Sequence, residues 1–215
     1  MTEQEFLKNY NSSDYQKPSV AVDIVLFTIR NNQLQVLLIK RQAHPFAGML
    51  ALPAVLVNIN ETLDEAVQRA LYQKTGLNNI YFEQLYTWGE IDRDPRMRII
   101  SVSYYALVPE SQISLSEPNA NFYPVDEIQT LAFDHKKIIA YGRERIRNKV
   151  NYTDIAFSLV PEDFTLPQLQ KIYEILLNQK LYKANFRKKI ADKIIPTEKM
   201  LSGTKHRPSR IYRKK

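Results

Sequence analysis

After a polar N-terminal segment, the chain continues with two apolar runs rich in β-branched residues. The runs span Ser19 to Ile29 and Leu34 to Lys40, and they are joined through Asn31-Asn32. Two such runs separated by a short polar turn predict a β-hairpin. Between Glu61 and Leu77 the apolar positions recur at helical spacing instead, and Gly76 stands where a helix would stop. The pattern therefore predicts strands and helices in one domain.

Three further helices are predicted in the second half of the chain. Thr165 and Gln168 have the spacing of a capping box, and the apolar positions after them recur every three or four residues. A helix from Lys183 to Ile194 is predicted next, with a buried edge of three apolar residues: Phe186, Ile190 and Ile194. Earlier in the chain, Asp134 is expected to cap a helix from Lys136 to Arg147.

The last residues have the pattern of a short hairpin. Two strands are predicted at about Glu198 to Leu201 and Ser209 to Arg213, around a turn at Ser202 to Lys205. Two helices followed by a hairpin is the order of a winged helix-turn-helix, in which the second helix enters the major groove of DNA.

The charge of the chain is divided unevenly along its length. From Lys180 to Lys215 there are thirteen Lys or Arg against Asp192 and Glu198, a balance of +11, so that residues 1–179 carry −4 of the total of +7. A basic tail of this kind favours a polyanionic partner, most often nucleic acid. The alternative is a solvated basic tail, against which the helical pattern argues. Candidate DNA contacts are the polar residues of the second helix and the hairpin: Lys183, Asn185, Arg187, Lys188, Lys189, Lys193, Thr204, Lys205, His206, Arg207, Arg210 and Arg213.

Composition excludes several classes of protein. The 215 residues include no cysteine, which excludes a disulfide framework and a thiolate metal site. The longest apolar run is interrupted by Asp23 and is far shorter than the roughly 20 residues that span a bilayer. We therefore expect a soluble cytoplasmic protein with no membrane partner.

The helix predicted between Glu61 and Leu77 has the spacing of a pyrophosphatase motif. Aligned on Glu61, the chain places Arg69, Leu71, Gly76 and Leu77 where the Nudix box, G-x5-E-x7-R-E-U-x-E-E-x-G-U, expects them. Taken alone, this match would be as well explained by an amphipathic helix with a glycine stop. The preceding hairpin and the run from Leu50 to Pro53 favour the box.

The carboxylates of the box are replaced. Its three metal-binding positions read Ala70, Gln73 and Lys74, and its glycine is Val55. On a helix these three positions share one face, as clustered oxygen ligands for Mg²⁺ must. Alanine binds no metal, and the Lys74 ammonium repels a divalent cation. We therefore predict no metal site, no catalytic residues and no cofactor.

Arginines could bind an anionic ligand without metal. The candidate effector-binding residues are Arg41, Glu61, Arg69, Arg93, Arg98 and Tyr104. Two alternatives remain for members of this set. Arg69 could form an intramolecular pair with Glu61 that fixes the loop before the helix, and Tyr104 could be a buried core residue of a strand.

Several separate motifs accompany the box and point to one family. They are Phe82 to Gly89, Asp92 to Arg96, Val102 to Pro109, Ala132 to His135, Phe164 to Leu166, Asn185 to Arg187 and His206 to Pro208. Together they resemble the Nudix-related transcriptional regulators, the NrtR-like family, over about residues 19 to 213.

This resemblance implies both a fold and a function. The fold would be an α/β (α+β) Nudix fold with a mixed sheet across 18–148, preceded by a polar segment, 1–17, and followed by a winged helix-turn-helix across 152–215. The protein would be a homodimer on double-stranded operator DNA, usually a repressor, that controls genes of NAD or sugar metabolism. Its effector would be a nucleotide such as ADP-ribose or a sugar such as arabinose.

Two other functions stay open at this stage. One is a Nudix hydrolase of nucleoside diphosphate compounds that uses displaced metal ligands: Glu61, Glu90, Asp92 or Asp94. The other is a general RNA or nucleic-acid binder. Metal-dependent turnover of ADP-ribose would favour the first, and sequence-independent binding would favour the second.

Overall fold

The computed structural model describes residues 1–78, 80–115, 117–201 and 208–215. The strands are β1 (Ser19–Arg30), β2 (Gln33–Lys40), β3 (Leu50–Ala51), β4 (Ala54–Leu56), β5 (Phe82–Trp88), β6 (Ile99–Leu107), β7 (Ala120–Pro124), β8 (Phe164–Thr165), β9 (Ile194–Leu201) and β10 (Ser209–Lys214). The α-helices are α1 (Glu3–Asn9), α2 (Leu63–Thr75), α3 (His135–Lys149), α4 (Leu166–Leu177) and α5 (Lys183–Ile190). The predicted turn at 202–205 and four candidate DNA contacts, Thr204, Lys205, His206 and Arg207, lie outside the described residues.

A mixed seven-stranded sheet is built around the predicted hairpin. Its main order is β3-β2-β1-β6-β5, with β4 added on β1 and β7 on β2. Strands β1 and β6 run parallel, and the other pairs are antiparallel. Asn31 and Asn32 both have positive φ, 50° and 60°, as the tightest hairpin turns require. The predicted hairpin and mixed sheet are confirmed.

Helices cover both faces of this sheet. Helix α2 packs its buried residues, among them Val67 and Leu71, on one face. Helix α3 covers the other face, and it lies close because of Gly142. A Cβ at Gly142 would meet Leu85 and Phe27 at 3.4 Å. Larger side chains at this position would therefore push α3 off the sheet.

The C-terminal part is a winged helix. Strands β8, β10 and β9 form a three-stranded antiparallel sheet beside helices α4 and α5. The predicted capping box is present at the start of α4, where the Thr165 hydroxyl accepts from the Gln168 N–H and the Gln168 side chain accepts from the Thr165 N–H.

The predicted end of the second helix is wrong by four residues. Helix α5 ends at Ile190, and Ile194 instead begins β9, paired with Lys214. Ile194 is buried as expected, but on a strand. The reason is local: the β-branched pair Ile194-Ile195 favours a strand, and Pro196 disfavours helix in the residue before it.

One apolar cluster joins the two parts of the chain. It contains Phe27 and Leu38 of the large sheet, Ile146 of α3, and Phe164 and Phe186 of the winged helix. All five are buried. The winged helix is therefore packed on the α3 side of the sheet.

The N-terminal segment before β1 does not contribute to the core. Helix α1 has no buried residues, and its Phe6 and Leu7 are exposed. No helix among the described residues is both long and apolar enough to cross a membrane.

Candidate functional site

A buried cluster of charges lies where α3 begins. The Arg93 guanidinium donates to both carboxylate oxygens of Asp134, at 2.7 and 3.0 Å, and to Asp23 Oδ2 at 3.2 Å. Its side chain is 6% exposed and that of Asp23 is 3% exposed. Burial opposes the charge of Arg93, but its hydrogen bonds to Asp134 and the charge of Asp23 outweigh burial and raise the pKa of Arg93. Ser101 Oγ also donates to Asp23, at 2.5 Å.

The expected capping role of Asp134 is wrong. Asp134 precedes α3, but its side chain makes no capping hydrogen bond. A bidentate bond to a guanidinium is stronger than a neutral cap, and Arg93 takes both carboxylate oxygens.

His135, the first residue of α3, is a neutral histidine in this cluster. Its Nδ1 accepts from the Leu52 N–H at 2.9 Å, so the ring proton is on Nε2, which lies 3.6 Å from Asp23 Oδ1. Burial lowers the pKa of His135. The histidine thus fixes the loop after β3 to the start of α3.

The cluster forms the floor of a cavity of about 220 Å³ that we call the arginine cavity. Its lining includes three arginines and one aromatic ring: Arg41, Arg93, Arg96 and Phe133. The guanidinium of Arg41 lies 4.8 Å from the Phe133 ring centroid and that of Arg96 lies 5.9 Å from it. Val55, which replaces the box glycine, also lines the cavity.

Arg41 holds its charge in this cavity without a carboxylate bonded to it among the described residues. Its Nε donates to the Pro45 carbonyl at 2.8 Å and its Nη2 to the Ala43 carbonyl at 3.3 Å. Burial and then the charge of Arg96 lower the pKa of Arg41. An anion bound here would offset both effects.

A second cavity, of about 310 Å³, adjoins the arginine cavity at Arg41 and Ala54. We call it the box cavity because Lys74, from the last carboxylate position of the box, lines it. Lys74 Nζ donates to Glu117 Oε2 at 3.2 Å.

Glu61 and Arg69 form the pair expected as the alternative to ligand binding. Arg69 donates to both oxygens of Glu61, at 2.5 and 2.9 Å, and to the Leu56 carbonyl at 3.0 Å. The hydrogen bond from Arg69, with one from the Asn58 N–H, lowers the pKa of Glu61 to about 2. The pair fixes the loop between β4 and α2.

The other predicted effector residues lie apart from the cavities. Arg98 donates to the carbonyls of Glu90 and Gly89, at 2.7 Å each. Tyr104 is 4% exposed on the α2 side of the sheet and packs edge-on against Phe82. The structure therefore brings together Arg41 and Arg93 of the predicted set. It adds Arg96 and Phe133, which the sequence motifs contained but gave no reason to single out.

The carboxylates considered as displaced metal ligands do not form a metal site in the described structure, and several of them are paired with basic side chains. Glu90 pairs with Lys137 at 2.7 Å and Asp94 with Arg96 at 2.8 Å. Within the described part of the chain, no three His, Asp or Glu side chains are grouped as a metal site would need. Ala70 is fully buried, so a carboxylate introduced there would face the core.

The predicted DNA contacts of the second helix lie on the exposed side of α5. Phe186 and Ile190 are buried, and Phe186 packs edge-on against Tyr173 of α4. The five predicted contacts on this helix are exposed: Lys183, Asn185, Arg187, Lys188 and Lys189. Arg210 on β10 is exposed as well.

Two predicted DNA contacts are held by acidic side chains. Lys193 donates to Asp154 at 2.8 Å, and Arg213 Nε donates to Asp163 at 2.5 Å. These carboxylates precede α4 in sequence, so the pairs fix the hairpin to the rest of the winged helix.

The turn between α4 and α5 is fixed by side chains of α4. Glu174 Oε1 accepts from the Leu181 N–H at 3.0 Å, and Gln170 donates to the Leu181 carbonyl at 2.9 Å. Asn178 ends α4 in the left-handed conformation, with φ of 53°. These hydrogen bonds therefore fix the turn that leads into α5 against helix α4.

Two family models match this chain. The NUDIX domain model matches residues 17–142, and the NrtR DNA-binding winged helix domain model matches residues 156–213. Two relatives of known description are both 36% identical. The ADPR responsive transcriptional repressor NtrR of Acinetobacter baylyi aligns over 99% of this chain and 88% of its own length. The ADP-ribose pyrophosphatase of Methanocaldococcus jannaschii aligns over 62% of this chain and 76% of its own.

Solved structures of Shewanella oneidensis NrtR are similar over both parts. The structure with a 27mer DNA superposes with a TM-score of 0.82 at 35% identity, and the match covers 91% of this chain and 93% of that one. The NUDIX domain of the same protein, complexed with ADP ribose, superposes with a TM-score of 0.61 at 37% identity. That match covers 67% of this chain and 99% of that one.

Proposed function

This chain belongs to the NrtR family of Nudix-related transcriptional regulators, and from that membership we propose that it is a repressor that leaves its operator when ADP-ribose binds. Relatives that align over more than nine-tenths of this chain include a repressor described as ADPR responsive and a protein solved with DNA, whose NUDIX domain was also solved with ADP ribose. We propose the same division of labour here, with effector binding in 18–148 and DNA binding in 152–215. Such a role places the protein in the cytoplasm.

The observation that carries this proposal is the position of α3. Its first residue, His135, lines the arginine cavity, and its later residue Ile146 belongs to the apolar cluster that includes Phe164 and Phe186 of the winged helix. One helix thus contacts both the ligand cavity and the core of the DNA-binding part. A ligand that contacts α3 differently in two states can shift the balance between them.

The effector site is the arginine cavity together with the adjoining box cavity. Arg41 presents its guanidinium to the arginine cavity beside the Phe133 ring, while the guanidinium of Arg96 is paired there with Asp94. Guanidinium groups suit phosphate oxygens because their paired N–H donors match the geometry. Arg93 also lines this cavity, and its ion pairs with Asp134 and Asp23 hold the cavity floor in place. A diphosphate flanked by ribose groups fits this chemistry better than an uncharged sugar does.

The operator contacts lie on α5 and the wing, and two chains are needed for two half-sites. A homodimer would place two copies of α5 in successive major grooves, about one helical turn or a multiple of it apart. The lysines and arginines of the hairpin contact phosphates for the most part, which gives affinity but little sequence choice, whereas α5 presents its exposed side chains to base edges in the major groove.

We propose that the Nudix part does not hydrolyse its ligand. The support is the chemistry of the box positions, where Ala70 and Lys74 offer no carboxylate. The similarity to an archaeal ADP-ribose pyrophosphatase over 62% of this chain makes hydrolysis the second candidate.

The proposal predicts that ADP-ribose releases the protein from DNA without being consumed. Fluorescence anisotropy with a labelled promoter fragment containing the operator should show affinity falling by about 5- to 150-fold at saturating ADP-ribose. AMP at equal concentration is the control. Product formation would be followed in the same samples with excess Mg²⁺ or Mn²⁺. Unchanged DNA affinity, or metal-dependent turnover that accounts for any release, would contradict the proposal.

Arg187→Ala is predicted to weaken operator binding by about 1 to 3 kcal/mol if the residue makes a base contact. ADP-ribose affinity should stay the same, because Arg187 is exposed on α5, away from both cavities. Arg147→Ala, an equal loss of charge on an exposed residue of α3, is the matched control. Equal weakening by both variants would indicate that only net charge matters. Weakening of all DNA sequences to the same extent, with a smaller salt dependence, would assign Arg187 to a phosphate.

A further inference from the structure

The box cavity contains a lysine at the position where a Nudix hydrolase has a metal-binding glutamate. Lys74 lies in the last turn of α2 and lines the cavity together with Lys40 and Arg41. Its side chain is 25% exposed, and its ammonium is held by Glu117 at 3.2 Å. The two residues are 43 positions apart in sequence. The tertiary structure therefore brings Glu117 to Lys74, and both side chains line the cavity.

A divalent cation does not fit these residues. Such an ion needs several oxygen ligands, most of them carboxylates. Glu117 is the carboxylate among the described residues that line the cavity, and it is already paired with Lys74. The Lys74 ammonium would also repel a divalent cation bound next to it in the cavity.

The charges of the cavity suit a diphosphate instead. Lys40, Arg41 and Lys74 contribute three positive charges, and Glu117 contributes one negative charge. The remaining excess is two positive charges, and the two phosphates of a diphosphate diester carry one negative charge each. Charge is thus balanced by bound diphosphate without any ion from solution.

We propose that the Lys74 ammonium replaces the metal ion of the Nudix site and binds the diphosphate of the effector directly, so that effector binding needs no metal. This inference rests on the proposed function, because the ligand is the proposed effector. An ammonium has three donors, which lets Lys74 keep its bond to Glu117 while it donates to a phosphate oxygen. Glu117, itself contacted by Asn119, is therefore a positioning residue that aims Lys74.

The test is the affinity of the full-length protein for ADP-ribose, measured by titration calorimetry in EDTA and again in excess Mg²⁺. The wild-type protein should bind equally well in both. Lys74→Met should bind about 10- to 100-fold more weakly, which is the loss expected for a charge-assisted hydrogen bond, and Lys74→Arg should recover most of the affinity. Lys8→Met, an equal charge loss on the exposed helix α1, is the control. Thermal unfolding of each variant checks that it is folded.

Lys74→Glu gives an outcome that a structural role could not produce. It restores a carboxylate of the box, so its binding should be weakest in EDTA and should improve on addition of Mg²⁺. The inference is overturned if the wild-type protein binds only with Mg²⁺, or if Lys74→Met binds as tightly as the wild-type protein. In both cases the proposed effector stands. Absence of ADP-ribose binding by the wild-type protein under either condition would overturn the proposed function, and the inference with it.

Discussion

Arg93→Met is expected to lower the free energy of unfolding by about 3 to 5 kcal/mol, the usual cost of removing one partner from a buried ion pair. Asp23 is 3% exposed, and its charge is balanced by Arg93, because the other basic side chain beside it, His135, is neutral. Asp134 would lose both of its hydrogen bonds to the guanidinium. Urea unfolding followed by circular dichroism measures the change, and methionine keeps most of the side-chain volume.

A matched control and a rescue make this prediction specific. Arg98→Met removes an exposed arginine that donates only to backbone carbonyls, and it should cost much less. Adding Asp23→Asn to Arg93→Met should recover part of the stability, because it removes the uncompensated charge. Equal effects of Arg93→Met and Arg98→Met would show that the buried cluster contributes no more than a surface contact.

Phe186→Ala is expected to destabilise the winged helix by about 3 to 5 kcal/mol, as for other fully buried phenylalanines. Phe186 is 2% exposed, and it packs at 5.3 Å, centroid to centroid, against Tyr173. Operator binding should be lost, and hydrogen exchange of α4 and α5 should accelerate. ADP-ribose affinity should change little, because no described residue of the winged helix lines either cavity.

Tyr182→Ala provides the comparison for Phe186→Ala. Tyr182 immediately precedes α5 but is 83% exposed, so its removal should change stability by no more than about 0.5 kcal/mol. Protection of α4 and α5 that survives Phe186→Ala would contradict the assignment of this residue to the core.

The sequence predicted what depends on local patterns. The hairpin at Asn31-Asn32, the capping box at Thr165, and the Glu61–Arg69 pair, which was the alternative to their predicted effector contacts, each depend on residues close in sequence, where turn and helix geometry dictate the contacts. The box spacing located α2, with Gly76 at its end in the left-handed conformation. Such features can be predicted without knowledge of the fold, because the residues that form them are close in sequence.

The composition of the site depended on distant contacts. Arg93 and Asp134 are 41 positions apart, and Arg93 and Asp23 are 70 apart, so that helical or strand periodicity carries no sign of their pairing. The type and position of Asp134 fit a helix cap as well as they fit an ion pair, and only the distant Arg93 decides between the two roles. Ile194 fits the helical stripe and the strand alike, and Pro196 restricts only Ile195 before it, so no local signal marks the end of α5 at Ile190.

The apolar cluster that passes from the large sheet through α3 into the winged helix also bears on how this protein could be re-engineered. A sensor for a new ligand would commonly be made by joining a foreign binding domain to the winged helix at the connection after α3. Such a chimera would remove Phe27, Leu38 and Ile146 from the apolar cluster to which Phe164 and Phe186 belong. The transplantable unit is therefore the winged helix together with α3 and the sheet face beneath it. New ligand specificity is better sought by changing the cavity walls at Arg41, Val55 and Lys74.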